Sequence, residues 1–215
     1  MATVPILYVT QGSGNSFKPM LVATQVGKHC RVRYIDVLAG ETRQEKFLSV
    51  NPAGVVPYLT LSDGKGLGES NAIAWYLAEG TPLIPSTALG RAQAISWMNF
   101  EQTSLESNIS PVRFFTYIVP DKAAEHRDML PRWRDQGSNA LIRLNNYLKN
   151  RDFITDDGYS VADVAVFGYT HLADEGGFQL SAFPAITQWI ERVENQPGYR
   201  SINDLLNPDI HEIAA

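Results

Sequence analysis

Cysteine is almost absent from this 215-residue chain: Cys30 stands alone. A single thiol excludes an intramolecular disulfide framework, a C-x-x-C redox pair and a cysteine-built zinc cluster, so any thiol chemistry enters with a ligand. Histidine is sparse as well. His29, His126, His171 and His211 lie far apart, without metal-ligand spacing, and read as surface or capping residues, so no metal is expected. Positive charge is in deficit, with 18 Lys and Arg against 23 Asp and Glu for a net −5, which disfavours nonspecific nucleic-acid binding. No run approaches the roughly 18 apolar residues of a membrane span. The N-terminal MATVPILYVTQGSG has neither a basic region nor a long apolar stretch to serve as a secretion signal. The expectation is a soluble, cytoplasmic protein with no membrane or nucleic-acid partner. Internal repeats and low-complexity segments are also missing.

What remains is the composition of a folded protein, 44% hydrophobic and 19% charged, enough for one large domain or two small ones. The first eighty residues mix strand and helix signals, whereas the rest shows long helical periodicity and almost no alternation. Strands are expected at 5–10, 31–37 and 57–61, with a short one at 66–68, and helices at 16–27 and 70–79. This βαβ-ββα order is thioredoxin-like. Gly80-Thr-Pro-Leu-Ile-Pro85 breaks the pattern, so the division predicted is 1–80, a linker at 81–87, and an all-helical domain at 88–215. Within the latter, helices are expected at 88–119, kinked or broken by Pro111, and at 123–149, 160–175 and 183–195. Ser160-x-x-Asp163 before an apolar run is close to a capping box, with Tyr159 and Val164 as its staple. GKGLG at 64–68 lacks the Lys-Ser/Thr of a phosphate loop and reads as a hairpin around Asp63-Gly64.

The most informative stretch is NPAGVVPYLTLSDGKGLGESNAIAWYL, residues 51–77. Val56 precedes Pro57 and is therefore held extended with its backbone groups available for pairing. Glu69-Ser70 opens an apolar helix, whose first N–H groups suit an anion. Together these features suit a short, charged peptide.

The segment resembles the glutathione site of the glutathione S-transferase superfamily, in which a cis Val-Pro and a Glu-Ser or Gln-Ser pair hold the tripeptide. The resemblance runs along nearly the whole chain: the loop after the first strand, the 51–77 segment, the linker at Pro82 to Pro85, and the helix start at Ser160-Val-Ala-Asp163. It implies a dimeric enzyme with an α/β thioredoxin-like N-terminal domain, an all-α C-terminal domain, and glutathione as co-substrate. The γ-glutamyl carboxylate would meet Ser70, its ammonium Glu69, and the cysteinyl amide the backbone of Val56 before Pro57. Ala53 and Gly54 stand where the family often has a basic residue for the glycyl carboxylate. Arg43 is the expected substitute, with Gln44 and Lys46 as alternatives.

An unperturbed thiol, pKa near 8.5, is only about 3% thiolate at pH 7, and lowering it two units takes roughly 2.7 kcal/mol of preferential stabilisation. Donors at a helix mouth are the expected device. In the loop Thr10 to Lys18, Ser13 falls where theta- and zeta-like transferases place a catalytic serine, and Asn15 resembles the Asn of nu-like members. The resemblance favours Ser13 as the direct donor, with Asn15 sharing or replacing it; a tight turn at Ser13-Gly14 with a helix cap at Asn15 or Ser16 is the structural alternative. Tyr8, the donor used by other classes, is out of register by one residue and reads as packing. Asn108, Arg113, Phe114, Phe115 and Tyr117 are candidates for the electrophile pocket, although such aromatic clusters also build cores. The reaction implied is thiolate attack on a soft electrophile. Glutathione-dependent disulfide reduction is the second enzymatic reading. A third is a non-catalytic module, since NPAGVVP and ESNAIA are similar to segments of translation elongation factor 1 gamma; the donor loop and the lack of an appended domain weigh against it.

Overall fold

The computed structural model describes residues 4–213. The chain divides into two units, the first running to Ile84 and resuming at Pro197, the second spanning Pro85–Gln196.

In the first unit β1 (Ile6–Val9) buries Leu7 and Val9 and turns Ile6 and Tyr8 outward, the period of two that defines its register. It leads into α1 (Gly14–Gln25) and then β2 (Cys30–Tyr34), which pairs parallel to β1. After α2 (Glu45–Leu48) the chain returns through β3 (Tyr58–Thr60), antiparallel to β1, and β4 (Gly66–Leu67), antiparallel to β3. Asp63-Gly64 makes the hairpin turn, with Gly64 at φ 83°. Gly66 leaves room for the Tyr58 ring, since a Cβ there would stand 1.8 Å from the Tyr58 hydroxyl and the ring would have to turn aside. α3 (Ser70–Ala78) packs on α1, burying Ile73, Ala74 and Leu77 with Phe17, Met20 and Leu21 in the core.

The expected boundary is corrected at the C-terminus. Residues expected in the helical domain return to the first unit as α9 (Ile202–Leu205), packed on α1, and β5 (Glu212–Ile213), antiparallel to β2. Tyr34 donates to the Leu205 carbonyl at 3.0 Å, and His29 hydrogen-bonds Glu212. The sheet order is β4-β3-β1-β2-β5, so the added strand covers an edge of β2 that would otherwise offer unpaired backbone.

The second unit is all helical. α4 (Ala88–Phe100) starts on a Thr87 cap, whose Oγ1 accepts from the Gly90 N–H at 2.9 Å. It runs through a wide π turn, Glu101–Glu106, into α5 (Ser107–Arg113), and a second wide turn, Phe114–Ile118, follows. Pro111 lies inside α5 without breaking the path. The expected helix at 123–149 is shorter: a 3₁₀ segment occupies Pro120–His126 and α6 covers Leu130–Leu148, with Pro131 at its first turn. α7 (Val161–Thr170) is buried at every position and contacts α4, α6's partner α8 (Pro184–Glu194), and α5. Its capping box is formed. Asp163 Oδ2 accepts from the Ser160 N–H at 2.9 Å, while Oδ1 accepts from Ile154 N–H and Trp189 Nε1–H, both at 2.9 Å. Removal from water outweighs these donors and raises the Asp163 pKa to about 6. Among the described residues no helix is long and apolar enough to cross a membrane.

Candidate functional site

The site is built where the starts of α1 and α3 meet. Gly12, at φ 70°, turns the chain out of β1, and Ser13 is the N-cap of α1, its Oγ accepting from the Ser16 N–H at 3.2 Å. The buried Ser16 hydroxyl reaches back to accept from the Thr10 N–H at 3.0 Å, which locks the loop. Ser13 is only half-buried, and its hydroxyl hydrogen can still donate while the oxygen serves as cap.

Asn15 joins the two helices. Its Oδ1 accepts from Ser70 Oγ at 3.1 Å, across 55 residues of sequence, and from Lys18 Nζ at 3.0 Å. Ser70 is the first residue of α3, so its N–H belongs to the group that no carbonyl of the same helix can meet. Glu69 precedes it, exposed and at φ 64°, a conformation that costs a residue with a side chain on the order of 1–3 kcal/mol. It places the exposed Glu69 immediately before the first N–H of α3.

The third wall is the loop before β3. The Val56–Pro57 peptide bond is cis. Among the described residues the backbone N–H and C=O of Val56 meet no partner, whereas Val55 O is taken by Asn51 Nδ2 at 2.8 Å. Asn51, buried, also accepts from the Ala53 N–H at 3.1 Å and so holds the loop rigid beneath Val56. Arg43 lies against the same loop, its Nη1 at 3.5 Å from the Ala53 carbonyl. Gly54 leaves it room, because a Cβ there would stand 2.8 Å from that nitrogen. Thus Ser13, Asn15, Glu69 and Ser70 gather at one corner, with Val56, Pro57 and Arg43 on the adjoining loop of the same unit.

Tyr8 packs edge-on against Phe47, with ring centroids 5.8 Å apart. Cys30 is buried in β2, and burial pushes its thiol up to about 11, which leaves it unreactive near neutrality.

The candidates in the helical unit are engaged internally. Asn108 is buried and donates to the Ser104 carbonyl at 2.8 Å. Arg113 is buried and paired, its Nε donating to Glu175 at 2.6 Å and its guanidinium lying 5.6 Å from the Tyr117 ring centroid. Phe114 contacts Phe115 edge-on at 5.1 Å, and Tyr117 is exposed. Two residues of the first unit, Asn51 and Lys18, were given no role from the sequence, and Ser16, read there only as a possible helix cap, instead locks the loop through Thr10. Lys18 carries the clearest signal, a charge embedded in the apolar run Phe17-Lys18-Pro19-Met20-Leu21.

Comparison with known proteins shows the family. Residues 12–79 match the family described as glutathione S-transferase, N-terminal domain, and residues 105–197 match glutathione S-transferase, C-terminal domain. A crystal structure of a possible glutathione S-transferase from Rhodopseudomonas palustris is 41% identical, the match covering 94% of this chain and 90% of that one with a TM-score of 0.89. Glutathione S-transferase GstA of Escherichia coli O157:H7 is 29% identical over 71% of this chain and 74% of its own length. Elongation factor 1-gamma of Prunus avium is 26% identical over 92% of this chain but only 47% of its own length. The chain belongs to the glutathione S-transferase family.

Proposed function

We propose that this protein is a glutathione transferase that activates the glutathione thiol for attack on a soft electrophile. The observation that carries the reading is the junction of two helix starts through Asn15 and Ser70, beside the unpaired backbone of Val56. In this reading the γ-glutamyl carboxylate receives the Ser70 N–H, the Glu69 carboxylate meets the α-ammonium, and Val56 pairs with the cysteinyl amide. Arg43 takes the glycyl carboxylate. The sulfur then lies at the mouth of α1, where the Ser13 hydroxyl and the Asn15 amide donate to it and the helix dipole favours negative charge.

The chemistry is one displacement or addition. The S–H proton leaves to solvent, the thiolate pair forms the new bond to the electrophilic carbon, and a leaving group, where present, departs with its electrons. Cys30 takes no part, being buried and protonated. The enzyme would work as a cytoplasmic homodimer. Asn108, Arg113, Phe114 and Tyr117 remain the candidates for the electrophile side.

Disulfide reduction is the second reading, favoured by the Ser13-x-Asn15 pattern of nu-like transferases. It requires charge complementarity for a second glutathionyl group, and Arg113, the cation among the electrophile-side candidates, is already paired with Glu175. Parallel assays with a chloronitrobenzene acceptor and with hydroxyethyl disulfide test the ranking. Conjugation above background supports the transferase; robust disulfide reduction with conjugation at background across several electrophiles reverses the order. Activity in neither assay, with glutathione binding intact, selects a binding module, the reading to which the match with elongation factor 1-gamma points.

A further inference from the structure

Arg134 sits half-buried on α6, three residues before Gly137 and four before Ser138, a spacing that sets a charge, a gap and a hydroxyl on one helical face. The chain that follows the turn at Ala173–Gly176 packs against this face. Phe178 fills the gap, since a Cβ on Gly137 would stand 2.7 Å from its ring. Gly177, at φ 82°, brings the backbone so close to the guanidinium that a Cβ there would stand 2.9 Å from Nη1. Nη1 itself donates to the Gly176 carbonyl at 2.8 Å.

That bond pins the guanidinium by one corner. Among the described residues Arg134 forms no ion pair, and its Nε and Nη2 hydrogens meet no acceptor. The two acids of the adjoining turn are engaged elsewhere: Asp174 Oδ1 accepts from the Leu180 N–H at 2.8 Å, and Glu175 is paired with Arg113. The Nε–Nη2 edge is the side-by-side donor pair that matches the two oxygens of a carboxylate. Ser138 is half-buried, and among the described residues its hydroxyl has no hydrogen-bond partner either. Both side chains line a groove of about 310 Å³, large enough for a small molecule, and Phe178, Phe183 and Ala182 supply its apolar lining. Further along α6, Asn145 Oδ1 accepts from the Ala185 N–H at 3.0 Å and ties the start of α8, beside Phe183, to the same helix.

We propose that this groove is a binding site for a small aromatic carboxylate. The carboxylate oxygens take the Nε–Nη2 edge of Arg134 and the Ser138 hydroxyl, and the ring of the ligand lies against Phe178 and Phe183. A guanidinium alone would suit any anion. The apolar lining makes the choice, because a compact inorganic anion would leave two phenyl rings and a methyl group uncovered, whereas an aromatic body covers them. At a net charge of −5 the protein as a whole repels anions, so affinity for one must come from a local cation that no internal carboxylate neutralises. The site lies wholly within the helical unit and is independent of the glutathione reading.

The test is calorimetric titration with 2-naphthoate and with 2-naphthamide, which keeps the apolar body and lacks the charge. The proteins compared are the wild type, Arg134→Met and Ala182→Trp. The wild type should bind the naphthoate about tenfold or more tightly than the amide. Arg134→Met should lower the naphthoate affinity about tenfold and abolish the preference over the amide. Ala182 is exposed, so Ala182→Trp fills the groove from its rim while leaving the Arg134 hydrogen bond in place, and it should weaken both ligands. Should Arg134→Met fail to fold, as urea unfolding would show, Arg134→Gln carries the same comparison. A wild type that binds neither compound, equal affinity for the two, or undiminished naphthoate affinity in either variant overturns the assignment.

Discussion

Replacing Asp163 with Ala removes the acceptor on which the helical unit is centred. Three N–H groups lose their partner: Ile154 and the Trp189 indole on Oδ1, and Ser160 on Oδ2. At about 2 kcal/mol for each buried donor left without an acceptor, the gross loss is about 6 kcal/mol. The substitution also relieves the burial of a charge. A pKa raised from 3.8 to about 6 places that relief at about 3 kcal/mol near pH 7, so the net loss is about 3 kcal/mol, a large share of the 5–15 kcal/mol typical of a domain. Asp163→Asn separates the two effects, because it removes the charge but keeps Oδ1 for Ile154 and Trp189, opposing only the Ser160 donors on the other side. Its net loss should be clearly smaller than that of Asp163→Ala. Urea unfolding at pH 7, followed by the fluorescence of the four tryptophans, measures both. Equal losses in the two variants, or a loss below 1 kcal/mol in Asp163→Ala, would refute the reasoning.

The pH dependence of the helical unit should show two opposed groups. The fold favours neutral Asp163, so its contribution is complete below pH 3.8 and lost as pH rises through about 6; it also favours neutral His171, pushed down to about 4 by burial, so that contribution is complete above 6.5 and lost as pH falls through about 4. His171→Asn, which keeps an N–H for the Phe167 carbonyl, removes the second term. Unfolding titrations should then show the variant gaining on the wild type by up to about 3 kcal/mol between pH 6.5 and 4; a constant difference would show that His171 is not held neutral. Cys30 should resist iodoacetamide in the native protein and react once urea unfolds it, whereas rapid native alkylation would contradict its burial in β2. At the sulfur, Ser13→Ala should raise the thiol pKa of bound glutathione more than Asn15→Ala does, and the reverse ranking in thiolate titrations would make Asn15 the principal donor.

The fold was legible wherever a local pattern had a local cause. Alternation around Leu7 and Val9, the Asp63-Gly64 turn and the Ser160-Asp163 cap all act within a few residues, and each lies where the sequence placed it. The return of residues 197–213 was not legible, because a four-residue helix and a two-residue strand carry no periodicity and take their place only from the exposed edge of β2. The π turns flanking α5 were hidden for a related reason: the side-chain pattern of a helix hardly changes when one turn widens. In the candidate site, Ser13, Asn15, Glu69 and Ser70 were named from motif spacing, and the structure brings them together. What joins them, the hydrogen bond from Ser70 to Asn15 across 55 residues, has no sequence signature. The pairing of Arg113 with Glu175, 62 residues apart, is likewise a property of packing, and it gives that cation a partner within its own unit.

Calorimetric titration of the wild type and of Ser70→Ala with glutathione tests the central reading most directly. If the joined helix starts bind the γ-glutamyl end, the wild type binds the tripeptide, and Ser70→Ala, which keeps the N–H but removes the hydroxyl that anchors Asn15, binds it more weakly by about 0.5–1.5 kcal/mol. Undiminished affinity in Ser70→Ala, or a wild type that does not bind glutathione, would contradict the account.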